Sequence, residues 1–363
     1  MLKTSPLFQL YSTRLRDFYR QPARIFWVYG FPTLLAIVLG LAFQNRPPAP
    51  VQVDVIPGPG SSWIRAKVGE HNVAVERDRA AGRSRLDVPP VLLHEADQSE
   101  ALKRLNTGKT PLVIEPIDSE SWAYRYDPTR PEAAAARQVV DDLLQRAAGR
   151  TDPRVARDVY VTEPGSRYID FLIPGLIGLN AMGGGLWGIG FLLVNFRIGK
   201  LLKRFVATPM PRRDFLLALL GARLTFLIPD LTVLLLLGTL MFGMPVRGSL
   251  VLVILVDVVG ALAFAGIGLL VACRVSTTEA VSGLMNLVML PMWLFSGVFF
   301  SAERFPDSAQ PFIQALPLTQ LVSALRRVLL EGAGLLDVSP ALAILAAWAV
   351  ITFSLALRFF RWT

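Results

Sequence analysis

Three charged side chains fall inside stretches apolar enough to lie in a bilayer: Arg223, Asp230 and Asp257. Charge in hydrocarbon is rare unless it is paired or faces water, so these residues mark either a structural ion pair or a polar path. A rise of ~1.5 Å per helical residue sets Arg223 about 10 Å from Asp230 along the axis, on the cytoplasmic side, with Asp257 at a depth comparable to Asp230. The three could line a path. Equally, Arg223 could pair with one aspartate as a structural contact, or snorkel towards the interface.

A second chemistry is written in the basic stretch from Phe196 to Arg213. Arg197, Lys200, Lys203, Arg204, Arg212 and Arg213 supply six cations and no acid between two apolar runs. That excess marks a cytoplasmic face. Thr208 to Pro211 breaks the helical pattern, because proline disfavours helix in the residue before it and restarts one well from the first turn. A short basic helix with a hard stop, held against the membrane, is a docking element.

Other reactive residue types lack companions. Gly108, Lys109 and Thr110 end like a phosphate-binding loop, but the pattern needs a glycine where Lys103 stands. His71 and His94 have no cysteine partners and no metal-ligand spacing, and no nucleophile-elbow or zincin pattern occurs. Neither a catalytic centre nor a metal site is expected. Cys273 is the single cysteine, which excludes an intrachain disulfide and reads as a small apolar filler at a helix end.

The elements that hold these residues follow from hydropathy. With 53% hydrophobic residues and a mean hydropathy of +0.46, the chain belongs in a membrane. Apolar runs predict six spans: Ile25–Phe43, Ile169–Val194, Phe215–Met241, Leu250–Ala272, Val281–Phe300 and Pro340–Leu357. Lys3, Arg14, Arg16, Arg20 and Arg24 before the first run, the basic loop, and Arg358 and Arg361 after the last all fall on one side, so both termini are expected in the cytoplasm. The first run is too long for a cleaved leader and Gln44–Arg46 offers no small-residue cleavage site, so it is expected to stay as an anchor. Ahead of it, residues 1–24 read as a cytoplasmic amphipathic helix in the interface plane, with Leu7, Leu10, Tyr11, Leu15, Phe18 and Tyr19 at helical spacing.

Residues 46–167 read as a separate outer domain of α/β type. Val51, Val53 and Val55 alternate as a strand, Ser99–Asn106 reads as a helix, Pro111–Ile117 as a second strand, and Pro131–Ala148 as an alanine-rich surface helix. Gly58–Pro90 is poor in apolar residues and is expected to be partly mobile. The domain carries 18 basic and 18 acidic residues, so the net charge of +9 is topogenic and available to anionic lipid; nucleic acid is not an expected partner. The second run holds seven glycines, with Gly184 and Gly188 spaced for close helix contact.

One span, an outer domain and five further spans resemble the permease subunits of ABC type-2 transporters. Leu201 to Pro209 is similar to that family's cytoplasmic coupling loop, through Lys203, Arg204, Thr208 and Pro209. The run from Pro291 through Ser296 and Gly297 to Pro306, Pro317 and Arg326 is similar to its fifth helix and the outer re-entrant segment that follows, residues 301–339. The resemblance implies a polytopic helical membrane protein, expected in the bacterial cytoplasmic membrane, that pairs with a second permease copy or paralogue. It implies a cytoplasmic ABC ATPase that holds ATP and Mg, with no cofactor or catalysis on this chain. Export of a lipid-like, drug-like or other small substrate would follow, with Asn180, Asn286 and Met289 as cavity-lining candidates. Many members place a glutamate just before the coupling helix; Arg197 and Lys200 stand here instead, so no gating ion pair at that acid is implied. Two other classes compete. An ion-coupled secondary transporter would carry internal repeats, which the one-plus-five order lacks. A membrane-anchored sensor or assembly protein would not need five further helices bearing intramembrane charge.

Overall fold

The computed structural model describes residues 5–43, 49–81, 89–119, 121–151, 153–154, 167–208 and 210–359. The chain divides into two compact units, Met1–Gln44 with Val161–Thr363, and Asn45–Tyr160.

The first unit is a helical bundle. Among the described residues, six of its helices are long and apolar enough to cross a membrane: Pro22–Ala42, Tyr168–Ile198, Arg213–Met241, Leu250–Ala272, Thr278–Phe295 and Leu335–Phe359. They are named the first to sixth spans below. The second and fourth form the buried centre, where Gly185 of one meets Gly268 of the other so closely that a Cβ at Gly268 would strike the Gly185 carbonyl. Close backbone approach of this kind is what small residues permit. The outward faces of the other spans stay apolar, as Leu34, Val38, Ile228, Leu240, Leu290 and Val350 illustrate. So much exposed hydrocarbon suits lipid as the solvent.

Two span boundaries differ from the hydropathy reading by five residues. Apolar sequence continues through Phe300, yet the fifth span stops at Phe295, with Ser296 as its cap and Gly297 at φ +73°. A left-handed glycine just past the cap ends a helix whatever the hydropathy of the residues beyond it. The sixth span begins at Leu335, ahead of Pro340. The Asp337 carboxylate accepts from the Gly334 N–H at 2.8 Å, and the Ser339 hydroxyl donates to the Leu336 carbonyl at 2.8 Å, the carbonyl that Pro340 leaves without its helical donor.

A helix at Pro6–Tyr19 precedes the first span, capped by the Ser5 hydroxyl. Its apolar side is partly covered by protein: Tyr11 bonds Thr225 at 2.8 Å and Phe18 stacks on Phe226 at 4.1 Å between centroids. The third span therefore takes up part of the face that spacing alone assigns to lipid.

The second unit is a four-stranded sheet flanked by helices. Strands β1 (Val51–Val55), β2 (Val91–Glu95), β3 (Leu112–Pro116) and β4 (Trp122–Arg125) are ordered β2-β1-β3-β4, with β1 parallel to β2 and β3, and β4 antiparallel to β3. Val53, Val55, Leu112 and Ile114 pack one face against helices Ser61–Ala80 and Pro131–Ala147. On the other face Val113 meets Ala101 of helix Gln98–Asn106. Helix Ser61–Ala80 occupies most of the apolar-poor stretch Gly58–Pro90: Ile64, Val68 and Val75 give it a narrow buried stripe, and the Asn72 amide brackets Val91 with bonds of 2.8 and 2.9 Å. Residues 82–88 lie outside the described residues.

Candidate functional site

A cleft in the bundle has a volume of about 610 Å³. It runs between the Pro6–Tyr19 helix and the first, second, third and fifth spans. Aromatic rings dominate its wall, among them Trp27, Phe31, Trp187, Phe226 and Trp293. The second span widens into looser turns at Leu186–Phe191, which carry Trp187 and Phe191 into this wall. Such local widening recurs at functional positions in helices. The Trp187 indole donates to the Met289 sulfur at 3.1 Å, and the Asn180 amide reaches the Val28 carbonyl at 3.4 Å, so the wall is braced from both sides.

Arg223 projects into the same cleft. Its guanidinium donates to Asp230 at 3.4 Å and to the Asn180 carbonyl at 2.9 Å. Gly184 makes the space for it, since a Cβ there would land on the guanidinium carbon. Asp257 is buried on the fourth span, close enough to feel the charges of Arg223 and Asp230, and its Oδ1 has no hydrogen-bond partner among the described residues. Of the two buried carboxylates, Asp230 alone is within ion-pair distance of the guanidinium among the described residues.

The basic loop is anchored by its apolar side. After Ile198 the backbone turns at Lys200, whose φ of +57° is the single positive value at a non-glycine residue among those described. Helix Leu201–Val206 follows, with Leu202 buried and Phe205 packed between Phe196 and Phe215 at centroid distances of 6.2 and 5.2 Å. Lys203 and Arg204 are exposed, and the Thr208 hydroxyl closes the last turn on the Phe205 carbonyl at 2.6 Å. A left-handed residue with a Cβ carries strain of ~1–2 kcal/mol. Lys200→Gly is therefore expected to raise the stability of the detergent-solubilised chain by about 1 kcal/mol, and Lys200→Val to lower it, in a thermal unfolding series. A loss of stability with glycine would contradict the strain.

A sequence profile described as ABC-2 family transporter protein matches residues 23–358. The chain belongs to the ABC-2 transporter family. Its similarity to individual relatives is partial. It is 29% identical over 197 residues, 53% of this chain and 27% of the relative, to ABC transporter G family member 20 of Dictyostelium discoideum. Over 121 residues it is 31% identical to the inner membrane transport permease YhhJ of Escherichia coli K12, covering 33% of this chain and 32% of that one. Over 96 residues it is 31% identical to the linearmycin resistance permease protein LnrN of Bacillus subtilis, covering 26% and 25%. The chain thus spans about a quarter to a third of the length of the relatives it matches.

In this ABC-2 chain the predicted residues fall in three places. Asn180, Arg223 and Met289 come together at the cleft, with Asp230 behind Arg223; Asn286 is exposed on the fifth span and does not line the cleft. Lys200, Lys203, Arg204 and Thr208 lie exposed around the basic helix, whereas Arg197 turns away to the carbonyls of Ala272, Cys273 and Val275; Pro209 is outside the described residues. Arg197 therefore clasps the C-terminal end of the fourth span.

The re-entrant residues form a third cluster. Pro317 opens a buried helix, Pro317–Arg326, and Arg326 at its end donates to the Phe171 carbonyl at 2.9 Å and the Gly297 carbonyl at 2.6 Å while lying 3.4 Å over the Phe171 ring. Ser296 is buried beside Gly297, Pro306 caps a short turn, and Pro291 sits within the fifth span.

Two features escaped the sequence, and one rejected motif gains a structural reason. Arg14 and Arg24 read as topogenic charges, yet both line the cleft. Gly184 looked like a helix-contact glycine and instead houses the Arg223 guanidinium. The Gly108–Thr110 turn proves to follow a helix C-terminus, with Thr110 buried and donating to the Leu112 carbonyl at 3.1 Å, the opposite of the helix N-terminus that holds phosphate.

Proposed function

We propose that this chain is the permease subunit of an ATP-driven exporter in the bacterial cytoplasmic membrane. Two permeases, either copies or paralogues, would enclose a central path, and two cytoplasmic ATPases would supply the free energy from ATP and Mg. Both termini and the basic loop would face those ATPases, and the Asn45–Tyr160 unit would stand outside. Membrane lipid would surround the apolar outer faces of the spans.

The observation that carries this reading is the anchored basic helix. Lys203 and Arg204 are presented to solvent on a helix whose other side, through Leu202 and Phe205, is fixed to the ends of the second and third spans. Those same spans wall the cleft. A push on the helix would therefore reach the wall through packed side chains rather than through a mobile tether.

The test is affinity purification of the chain from its native membrane in mild detergent, with mass spectrometry and an ATPase assay on the eluate. A Walker-type ATPase at equal stoichiometry is expected with the wild-type chain. Lys203→Glu with Arg204→Glu should abolish its recruitment and leave membrane insertion intact. Undiminished co-purification of the double variant would remove this helix from the interface.

A further inference from the structure

We propose that the cleft binds an anionic amphiphile, its acidic headgroup held between Arg14 and Arg24 and its apolar tail lying along the aromatic wall. The proposal rests on the permease reading and deepens it by naming a substrate class.

Charge is the first argument. Arg14, Arg24 and Arg223 line the cleft, and no aspartate or glutamate does so among the described residues. Arg223 is already neutralised by Asp230 at 3.4 Å. Arg14 has Asp17 at 3.9 Å, half exposed and on the same helix, which makes a loose contact. Arg24 makes no ion pair among the described residues. Burial first, and then the nearby charge of Arg24, pull the Arg14 pKa down to about 10. Two guanidinium groups that repel each other at the mouth of a partly desolvated cleft gain from an anion placed between them. Arginine suits this task because its planar fork meets carboxylate or phosphate oxygens in pairs.

The wall supplies the second argument. Beyond the arginines the lining is almost wholly apolar, with Trp27, Phe31, Trp187, Phe226, Met289 and Trp293 as its bulk. The volume of about 610 Å³ falls within the ~300–1,000 Å³ typical of small-molecule sites. A small hydrophilic anion would leave that wall unfilled, and a neutral oil would leave the arginines unanswered. One head and one tail satisfy both.

Three tryptophans in the wall provide the readout. The purified chain, in phosphatidylcholine nanodiscs, is titrated with a dansyl-labelled fatty acid and with the alcohol and amine of the same length, following energy transfer from tryptophan. The acid is expected to bind about tenfold or more tighter than the alcohol, with the amine weakest. Arg24→Gln, an exposed position whose replacement spares the core, should reduce that preference, and Arg14→Gln with Arg24→Gln should erase it while leaving alcohol binding intact.

Repeating the titration in phosphatidylglycerol nanodiscs separates two sources of the same chemistry. Displacement of the probe identifies an anionic bilayer lipid as occupant, and retention identifies a free amphiphilic acid. Equal binding of acid, alcohol and amine, or a preference that survives the double variant, overturns the proposal. The binding assay needs no ATPase, so its failure would remove the substrate class alone, whereas failed ATPase recruitment in the purification above would remove the permease reading.

Discussion

Arg223→Ala is expected to destabilise the bundle by about 3–5 kcal/mol, the usual cost of stripping the partner from a buried charge. Arg223 and Asp230 are both almost wholly enclosed, at 6% and 5% exposure, and Asp257 is close behind them. Removing the guanidinium would leave the Asp230 carboxylate with no compensating cation and would also free the Asn180 carbonyl, which Arg223 holds at 2.9 Å. A double replacement, Arg223→Met with Asp230→Leu, removes both charges together and should recover most of the loss, because an apolar pair of similar volume is often as stable as a buried ion pair. Thermal unfolding of the detergent-solubilised chain, followed by tryptophan fluorescence, reads both. If Arg223→Ala cost under about 1 kcal/mol, or if the double replacement fell as far as the single one, the pair would not be the buried unit described.

Gly184→Leu approaches the same contact from the opposite side. A side chain there must evict the guanidinium from the second span, so it should resemble Arg223→Ala in stability while keeping the charge. The glycine and the arginine are on different spans, and nothing in the spacing of either announces the other. That is why hydropathy found the charged residues but could not choose between path, pair and snorkel.

Legibility elsewhere followed the same division. The fourth span could be placed residue for residue, since Leu250–Ala272 is apolar at every position but Asp257 and lies between Ser249 and Cys273. Helix Ser61–Ala80 was not legible, because its three buried residues are separated by charges and polar groups that face solvent. Strand β2 was missed because its buried anchor is Val91 and the rest of the segment is more open, so alternation gives little signal. At the basic loop, composition identified the docking helix but could not separate Lys203 and Arg204, which face solvent, from Arg197, which turns to the fourth span. Local pattern records which residues are apolar or charged; which carbonyl an arginine reaches is fixed only when distant segments meet.

Arg326 shows that limit most directly and yields the other large prediction. Its guanidinium binds carbonyls from the start of the second span and from the turn after the fifth, and it covers the Phe171 ring. Hydrogen bonds to a charged donor contribute ~1.5–3 kcal/mol each, and they are not additive within one clasp. Arg326→Ala is therefore expected to cost about 3–5 kcal/mol and to expose the 296–306 turn to proteolysis. Arg326→Lys should rescue only part of this, since a single ammonium cannot span carbonyls on separate segments while stacking on an aromatic face. Ser296 provides the control. Its hydroxyl is buried with no hydrogen-bond partner among the described residues, so Ser296→Ala should be neutral or stabilise by up to about 1 kcal/mol. Both substitutions alter the same turn, one by removing the guanidinium that holds the Gly297 carbonyl and the other by removing an unsatisfied hydroxyl. If they destabilised equally, the turn would be sensitive to any change and the clasp would have no special part in it. A large loss with alanine at 326, a partial return with lysine and none at 296 would assign the anchoring of the turn after the fifth span to Arg326.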